Sequence, residues 1–347
     1  MKTKYILIAA LAAVALTQTS CEKVSPQGVL MAGTAVEDRV KMSYEYFQKN
    51  NLEYKLDDDI LFTDSHMNGY SFLVGADSHV TTDLGRMEEM FKIGFDNNDL
   101  LFCHLGDIAD TKPEYYINLE NCLRDAHYDY VYKYYEQNEE DGLFYRKGDE
   151  EAFGREYSTI KLPFFPVVGN HDLTHNGWAL WSNIFGSSFY HFDLIVGQDE
   201  NGLNIYDHFI FLDTASGTLG KLQVDLIEQG VLDGEHQYRH TFVFSHTNIF
   251  LPSSLQFAST FPREEAYFLL KQFDEWNASV VFCGHVHKWD ERVYNGVFFL
   301  TLDSMSERNS PNPGDYLVRV KVDKDGMIEI ENVHMDYVAK NNQPTSE

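Results

Sequence analysis

The sequence predicts an α/β protein. Short runs of β-branched and aromatic residues recur along the chain, and amphipathic stretches with apolar residues three or four positions apart lie between them. This alternation is typical of β-α units with parallel strands. The third observation is size, because 347 residues with 44% hydrophobic content can bury a large core. Length alone leaves one large domain with insertions and two separate domains equally open.

The charge of the chain limits its partners. The formal net charge is −27, and without residues 1–20, which contain Lys2 and Lys4 but no acidic residue, it becomes −29. So acidic a surface repels nucleic acids and anionic membranes, and we therefore expect no nucleic acid polymer as a partner. Small phosphate esters remain possible substrates, because bound cations would reverse the field locally.

Residues 1–20 are predicted to be a signal peptide. Lys2 and Lys4 precede an apolar segment, residues 5–16, which is too short to span a bilayer comfortably. Cleavage is therefore favoured over a permanent anchor, and the protein is expected to be exported.

A cysteine at the end of the signal suggests an anchor of another kind. The position of Cys21 resembles a bacterial lipoprotein signal, in which the cysteine becomes the lipidated first residue, although Gln18 stands where an aliphatic residue is usual. We expect membrane attachment through lipid on Cys21, followed by a tether over residues 21–35. The alternative is cleavage after Ala15 and a secreted soluble protein.

The first predicted element is a helix. Apolar residues recur there at helical spacing, at Val36, Val40, Tyr44 and Phe47. We assign residues 36–69 to this helix and a lead-in, and residues 70–340 to the main domain. The helix is interpreted as a structural element that packs on the domain from outside.

The tripeptide Asp-Ser-His occurs twice. In a strand, residues i and i+2 point to the same side, so Asp-x-His at a strand end can supply two metal ligands. Only Asp77 and His79 follow a short apolar strand, residues 72–76, and precede an amphipathic helix. We therefore interpret Asp64 and His66 as part of a polar loop without metal.

A second β-α unit follows at once. Residues 100–105 predict a buried strand, and Asp107 and Asp110 come directly after it. A crossover helix makes the two strands parallel neighbours, which places Asp107 beside the first pair of ligands. Residues 111–161 predict a mostly helical insertion, rich in tyrosine, that overhangs the site. These tyrosines can contact substrate, but packing of the insertion is the favoured interpretation.

Three polar residues leave the next strand together. Val167 and Val168 predict the end of a buried strand, and Gly169 then turns the chain into Asn170, His171 and Asp172. These side chains are costly to bury without partners, so we expect a hydrogen-bond network, solvent or a metal around them.

The same pattern recurs twice more. Residues 241–244 predict a strand that ends at His246, and residues 279–283 predict one that ends at His285 and His287. The remaining chain is β-rich, with a hairpin turn at Asp325-Gly326.

Five motifs in this order resemble the calcineurin-like metallophosphoesterase superfamily. That superfamily carries D-x-H, G-D-x-x-D, G-N-H-D/E, a lone histidine and G-H-x-H, and residues 70–305 match all five. The resemblance implies two mixed β-sheets packed as a sandwich and flanked by helices, with two divalent metal ions at the strand ends. Imidazole and carboxylate ligands suit Zn, Mn or Fe.

The resemblance also assigns roles to single residues. The first metal is expected to bind Asp77, His79 and His287, the second Asn170, His246 and His285, and Asp107 bridges both. A bridging hydroxide would then attack the phosphorus of a small phosphomonoester or phosphodiester. His171 would be the general acid, and Asp110 would orient it.

Two subfamilies fit less well. Asp110 replaces the tyrosine of purple acid phosphatases, and Thr111 and Lys112 replace the arginine-glycine pair of Ser/Thr protein phosphatases. Small-molecule phosphoesterases remain, and the sequence does not decide between them. A surface lipoprotein that keeps the fold and binds metal or glycan without catalysis is the alternative from another class.

Overall fold

The computed structural model describes residues 35–47, 53, 68–110, 112–147, 161–250, 261–306 and 316–337. The signal peptide, the tether, Cys21, Asp64 and His66 lie outside these residues. Among the described residues, no helix has both the length and the apolar character needed to cross a bilayer.

Three of the strands in the first sheet run parallel and carry candidate site loops at their ends. They are β1 (Gly69–Gly75), β2 (Leu101–His104) and β5 (Phe164–Pro166). Strand β12 (Leu317–Asp323) lies antiparallel to β1 on one side and to β13 (Ile328–Asn332) on the other. The result is a mixed sheet with the order β13-β12-β1-β2-β5.

The second sheet has six strands in the order β10-β11-β9-β8-β7-β6. Four are parallel: β7 (Asn204–Phe211), β8 (Tyr238–Ser245), β9 (Ala278–Cys283) and β11 (Val297–Thr301). The antiparallel edges are β6 (Tyr190–Gln198) and β10 (Asp290–Tyr294).

The two sheets pack face to face. Phe72 of the first sheet lies between Phe209 and Phe242 of the second, with ring centroids 5.4 and 5.3 Å away. Burying such large aromatic side chains is the main source of stability in this layer. The predicted sandwich of two mixed sheets is confirmed by this topology.

Helices cover both outer faces. The first sheet is covered by α2 (Gly85–Asn97), α3 (Pro113–Tyr134) and α4 (Gly177–Phe185), and the second by α1 (Val36–Tyr46), α5 (Gly220–Glu228) and α6 (Arg263–Glu275). Apolar stripes at helical spacing explain this arrangement, as Phe91 and Phe95 of α2 show by packing against Phe102 of β2.

One strand boundary differs from the prediction, and one short hairpin was not predicted. Val167 and Val168 are fully buried but follow β5, whose ladder continues only through the Val167 amide, which donates to the His104 carbonyl. The segment predicted to be mostly helical contains the long helix α3, which is followed by a short hairpin of β3 (Tyr135–Gln137) and β4 (Phe144–Arg146). The boundaries of the insertion itself remain predictions.

Candidate metal centre

The candidate side chains meet at one edge of the sandwich. Asp77, Asp107 and Asn170 follow the parallel strands β1, β2 and β5, while His246 and the His285–His287 pair follow β8 and β9. Parallel strands present their carboxyl ends at a common edge, so residues distant in sequence become neighbours. Their ligand atoms form two groups that can hold a divalent metal ion, and Asp107 belongs to both.

The first group contains Asp77, His79, Asp107 and His287. The Nε2 atom of His287 lies 3.4 Å from Oδ1 of Asp77 and 3.3 Å from Nε2 of His79. The two nitrogens lie within hydrogen-bond distance of each other, and both can bind one cation when neither carries a proton. Oδ1 of Asp77 is buried and has no hydrogen-bond partner among the described residues.

The second group contains Asp107, His246 and His285. Nε2 of His246 lies 3.6 Å from Oδ2 of Asp107, and the same oxygen lies 3.9 Å from Nε2 of His79. One carboxylate oxygen therefore stands between the two groups. Asn170, the remaining candidate ligand, places Oδ1 2.9 Å from Nε2 of His246.

Hydrogen bonds behind the candidate ligands fix their orientation. Nδ1 of His246 is 2.7 Å from the Leu105 carbonyl and donates to it, which leaves Nε2 as an electron-pair donor. Oδ2 of Asp77 accepts from the amide of His285 at 2.9 Å, and Oδ1 of Asp107 accepts from the amide of His171 at 2.6 Å. One oxygen of each carboxylate is thus held by backbone, and the other faces the site.

The backbone of the site is strained. Five candidate residues adopt the left-handed region, with φ between 44° and 70°: Asp77, His79, Asp107, His285 and His287. Such conformations are uncommon for residues other than glycine and persist where surrounding contacts enforce them. Here the loops brace each other, since the amides of Asp77 and His79 donate to the carbonyls of Gly106 and Asp107.

Two glycines allow these loops to approach. A Cβ at Gly169 would overlap the backbone nitrogen and Oδ1 of Asp107, and one at Gly284 would lie 2.6 Å from Oδ2 of Asp77. Each glycine precedes a candidate ligand, so the absence of a side chain is what brings the loop of one strand against the carboxylate of another.

Burial and neighbouring charges shift the pKa values of the candidate ligands in different directions. For His287, burial opposes protonation, but the hydrogen bond and the charge of Asp77 raise its pKa. Burial dominates at two other imidazoles. It lowers the pKa of His79 to about 4 and that of His285 to about 3, so both imidazoles are neutral at pH 7. Burial and the charge of Asp77 raise the pKa of Asp107. For Asp77, burial opposes ionisation, but the contact with His287 and the other imidazoles keep its pKa below the ordinary value.

These donors fit divalent cations. Neutral imidazoles and carboxylates are the ligands of Zn, Mn and Fe. In the part of the chain that the structure describes, the carboxylates of Asp77 and Asp107 receive no hydrogen bond from lysine or arginine. Without a cation, two acidic groups so close together would oppose each other's ionisation. The clusters are therefore suited to divalent metal binding.

His171 lies beside the groups and is more open than the candidate ligands. Its side chain is 42% exposed, its ring contacts that of His79 edge-on at 4.7 Å, and its Nδ1 is 3.6 Å from Oδ1 of Asp110. That separation exceeds a hydrogen bond, so the orientation of His171 by Asp110 stays a prediction.

Asp172 has a structural function that the motif alone did not reveal. Its carboxylate accepts from the amide of Gly169 at 2.8 Å and from the amides of Ile108 and Ala109 at 3.1 and 3.3 Å. Asp172 thereby ties the loop after β5 to the loop after β2. The only signal in the sequence was an acidic residue, Asp172, two positions after the candidate ligand Asn170.

Two further residues contribute to the site but could not be predicted from the sequence. Oγ1 of Thr214 accepts from the amides of His246 and Thr247 at 2.9 and 3.0 Å, and Oγ of Ser304 donates to the carbonyl of Asp77 at 2.7 Å. Single Ser and Thr residues after strands are common in sequences, so no pattern distinguished these two.

The tyrosines of the insertion mainly pack. Tyr116 is buried and donates to the carbonyl of Asp172 at 3.1 Å, while Tyr130 and Tyr134 pack in the helical layer. Tyr128 and Tyr132 are exposed, with stacked rings 6.5 Å apart. The favoured interpretation of this stretch therefore agrees with the described residues.

No protein-family model matches this chain, and no curated protein matches it. Solved structures similar to it include GAP50, the anchor in the inner membrane complex of Plasmodium, at 13% identity and a TM-score of 0.48, covering 77% of this chain and 84% of that one. A dimetal phosphatase from Danio rerio has 11% identity and a TM-score of 0.43, covering 78% and 99%. The phosphopantetheinyl hydrolase of Mycobacterium tuberculosis has 12% identity and a TM-score of 0.40, and the match covers 72% of this chain and 95% of that one. Likeness at this level does not decide what this chain does.

Proposed function

We propose that this chain is a calcineurin-like metallophosphoesterase that hydrolyses a small phosphomonoester or phosphodiester with two divalent metal ions. The observation that supports the proposal most is the position of Asp107, whose Oδ2 lies 3.9 Å from Nε2 of His79 and 3.6 Å from Nε2 of His246. A single carboxylate oxygen between two sets of donors is what a pair of neighbouring metal ions needs.

The two sets define the proposed ligands. Asp77, His79 and His287 would hold one ion, Asn170, His246 and His285 the other, and Asp107 would bridge them. When bound, such ions supply Lewis-acid activation of water and neutralise the charge of a phosphate group. Zn, Mn and Fe all match these donors.

His171 is proposed to deliver the proton that the leaving group needs. Its possible ligand atom groups with those of His79 and Asp110 and not with Asp107, its side chain is partly exposed, and Oδ1 of Asp110 lies 3.6 Å from its Nδ1. Because Asp110 stands beside Nδ1, Nε2 is the nitrogen that would donate to an ester oxygen. The alcohol then departs neutral rather than as an alkoxide.

The proposed substrate is small and the proposed location is outside the cytoplasm. A net charge of −27 disfavours long polyanions, which experience the whole surface, more than a single phosphate, which experiences the metal site. Export and attachment through lipid on Cys21 remain part of the proposal, as does the secreted alternative.

A substrate panel tests the function. The protein is stripped of metal, reloaded with Zn²⁺, Mn²⁺ or Fe²⁺, and assayed with bis-aryl phosphodiesters, aryl phosphomonoesters and nucleotides. We expect metal-dependent turnover of at least one class. Metal binding without hydrolysis of any class would instead favour the non-catalytic alternative, a surface protein that binds metal or glycan.

A further inference from the structure

A second cluster of metal-ligating side chains lies in the other sheet. His191 and Asp193 are two residues apart on β6, so their side chains share one face, and Asp193 is paired across the strands with His208 of β7. Phe209 and Phe211 of β7 point into the core between the sheets, which places His208 on the outer face. This cluster shares no residue with the candidate metal centre.

The three side chains converge. One ligand atom from each of His191, Asp193 and His208 lies within 4.8 Å of the others, and Nδ1 of His208 is 2.6 Å from Oδ1 of Asp193. His191 and His208 are buried almost completely. Polar groups converge in this way only where they satisfy each other or share a ligand.

Hydrogen bonds from neighbouring groups fix the orientation of His208 and Asp193, as they do for many metal ligands. Nε2 of His208 is 2.8 Å from the Leu232 carbonyl and donates to it, so Nδ1 is the nitrogen that faces Asp193. The hydroxyl of Tyr238 donates to Oδ2 of Asp193 at 2.9 Å. A histidine that donates to a carbonyl and a carboxylate that is hydrogen-bonded from behind are the usual outer partners of a bound ion.

A small cavity of about 50 Å³ adjoins the cluster and has room for a cation and a water molecule. His236 enters from the solvent side, where its ring stacks on Tyr206 at 3.8 Å and its Nε2 lies 3.9 Å from Oδ2 of Asp193. The cavity lining carries carboxylates and imidazoles but no lysine or arginine among its described residues: Glu53, His191, Asp193, Glu235 and His236.

We propose that His191, Asp193 and His208 bind a Zn²⁺ ion, with His236 as a fourth donor. Three imidazoles and one carboxylate match tetrahedral zinc, with bonds of about 2.0–2.2 Å. The ion would take the place of the proton between Nδ1 of His208 and Oδ1 of Asp193, and these two atoms would move apart to admit it. The ion would join β6 and β7 to the segment that carries Leu232 and His236.

Counting metal ions tests this site directly. The purified protein is saturated with Zn²⁺, freed of excess by gel filtration and analysed by elemental analysis. Asp193→Asn is nearly isosteric and still accepts a hydrogen bond from Tyr238, and we expect it to bind one Zn²⁺ fewer per chain than the unaltered protein. The control is His334→Ala, because His334 forms an exposed pair with Asp336 at 3.2 Å and belongs to no group of three possible ligands among the described residues.

The difference between the two variants does not depend on the proposed function, because it is expected whatever the Asp107 centre holds and whether or not any ester is hydrolysed. An equal Zn²⁺ content in Asp193→Asn and His334→Ala would overturn the site and leave a hydrogen-bonded His208–Asp193 pair. If Asp193→Asn does not fold, His236→Ala replaces it, since this side chain is partly exposed. We expect Zn²⁺ affinity to fall about tenfold or more, and an unchanged affinity would overturn the site as well.

Discussion

Asp172 stabilises the loops that carry the proposed metal ligands. The Asp172 carboxylate accepts hydrogen bonds from three backbone amides in two loops. Asparagine has the same shape, but its Nδ2 would face donors rather than accept from them. Asp172 therefore supports the geometry of the two loops through the acceptor oxygens of its carboxylate.

Asp172→Asn is expected to loosen both loops. At least one buried amide would lose its acceptor, and we expect a loss of about 1–3 kcal/mol in the free energy of unfolding of the metal-free protein. Denaturant titration measures this. Asp336→Asn, an exposed carboxylate, serves as the control. An unchanged unfolding free energy for Asp172→Asn would show that the loops stand without this carboxylate.

His171→Asn tests the proposed acid. General acid catalysis is worth about 10²- to 10⁴-fold, so turnover of alkyl phosphoesters should fall within that range, while aryl esters with acidic leaving groups should lose much less. Both metal ions should stay bound. Asp110→Asn should give a weaker form of the same pattern, because it only misorients the imidazole.

Two other results would assign His171 differently. If every substrate slows equally with metal content unchanged, His171 stabilises phosphate charge and does not act as the acid. If metal content falls, His171 is a ligand, and its assignment from the family pattern is wrong. Steady-state kinetics with matched alkyl and aryl esters, combined with elemental analysis, distinguishes the three cases.

At the scale of elements, α1 contributes more than an apolar stripe. Val36 and Val40 are buried as predicted, but Arg39 is also fully buried and pairs with Asp213 after β7, with Nε to Oδ2 at 2.9 Å and Nη2 to Oδ1 at 2.8 Å. Asp213 precedes Thr214, whose hydroxyl accepts from the His246 amide. The first helix thus connects to a candidate metal ligand.

Arg39→Met tests this connection. Removing one partner leaves the Asp213 carboxylate buried without its ion pair, and we expect a loss of about 3–5 kcal/mol in the free energy of unfolding. Denaturant titration provides the value. Lys41→Met is the matched control, since Lys41 lies on the same helix in an exposed pair with Glu45. Equal losses in the two variants would mean that the buried pair adds nothing specific.

At the scale of the whole molecule, the parts that could be predicted were those with a short-range signal. Apolar periodicity located α2 and β1, and strand-end polar residues located the candidate ligands. The edge strands β6 and β10 were not predicted, because Asp193 and His191 in β6 and the exposed residues of β10 break the apolar pattern.

Partners across long sequence separations could not be predicted either. Arg39 and Asp213 are 174 residues apart, and nothing in either local sequence indicates that the two residues meet. The order of strands decides such contacts, and two mixed sheets of five and six strands allow many orders. The family resemblance provided the missing information for the candidate ligands but not for the residues behind them.

Attachment of the whole protein to a membrane depends on Cys21. If this cysteine is lipidated, the protein should partition with membranes, and Cys21→Ser should release it or leave the signal peptide uncleaved. Fractionation followed by mass measurement of the N-terminal peptide shows which occurs. Equal partitioning of both forms into the soluble fraction would support the secreted alternative.

The metal content of the whole chain depends most on Asp107, because it is the carboxylate that both proposed sets of ligands share. Asp107→Ala should therefore remove both ions of this centre, whereas Asp77→Ala should mainly empty one position. Elemental analysis of the purified variants measures this, with Asp64→Ala as the control from the duplicated tripeptide, for which content and turnover should not change. Retention of both ions by Asp107→Ala would contradict a bridged pair, and a loss in Asp64→Ala would mean that the other tripeptide binds the metal.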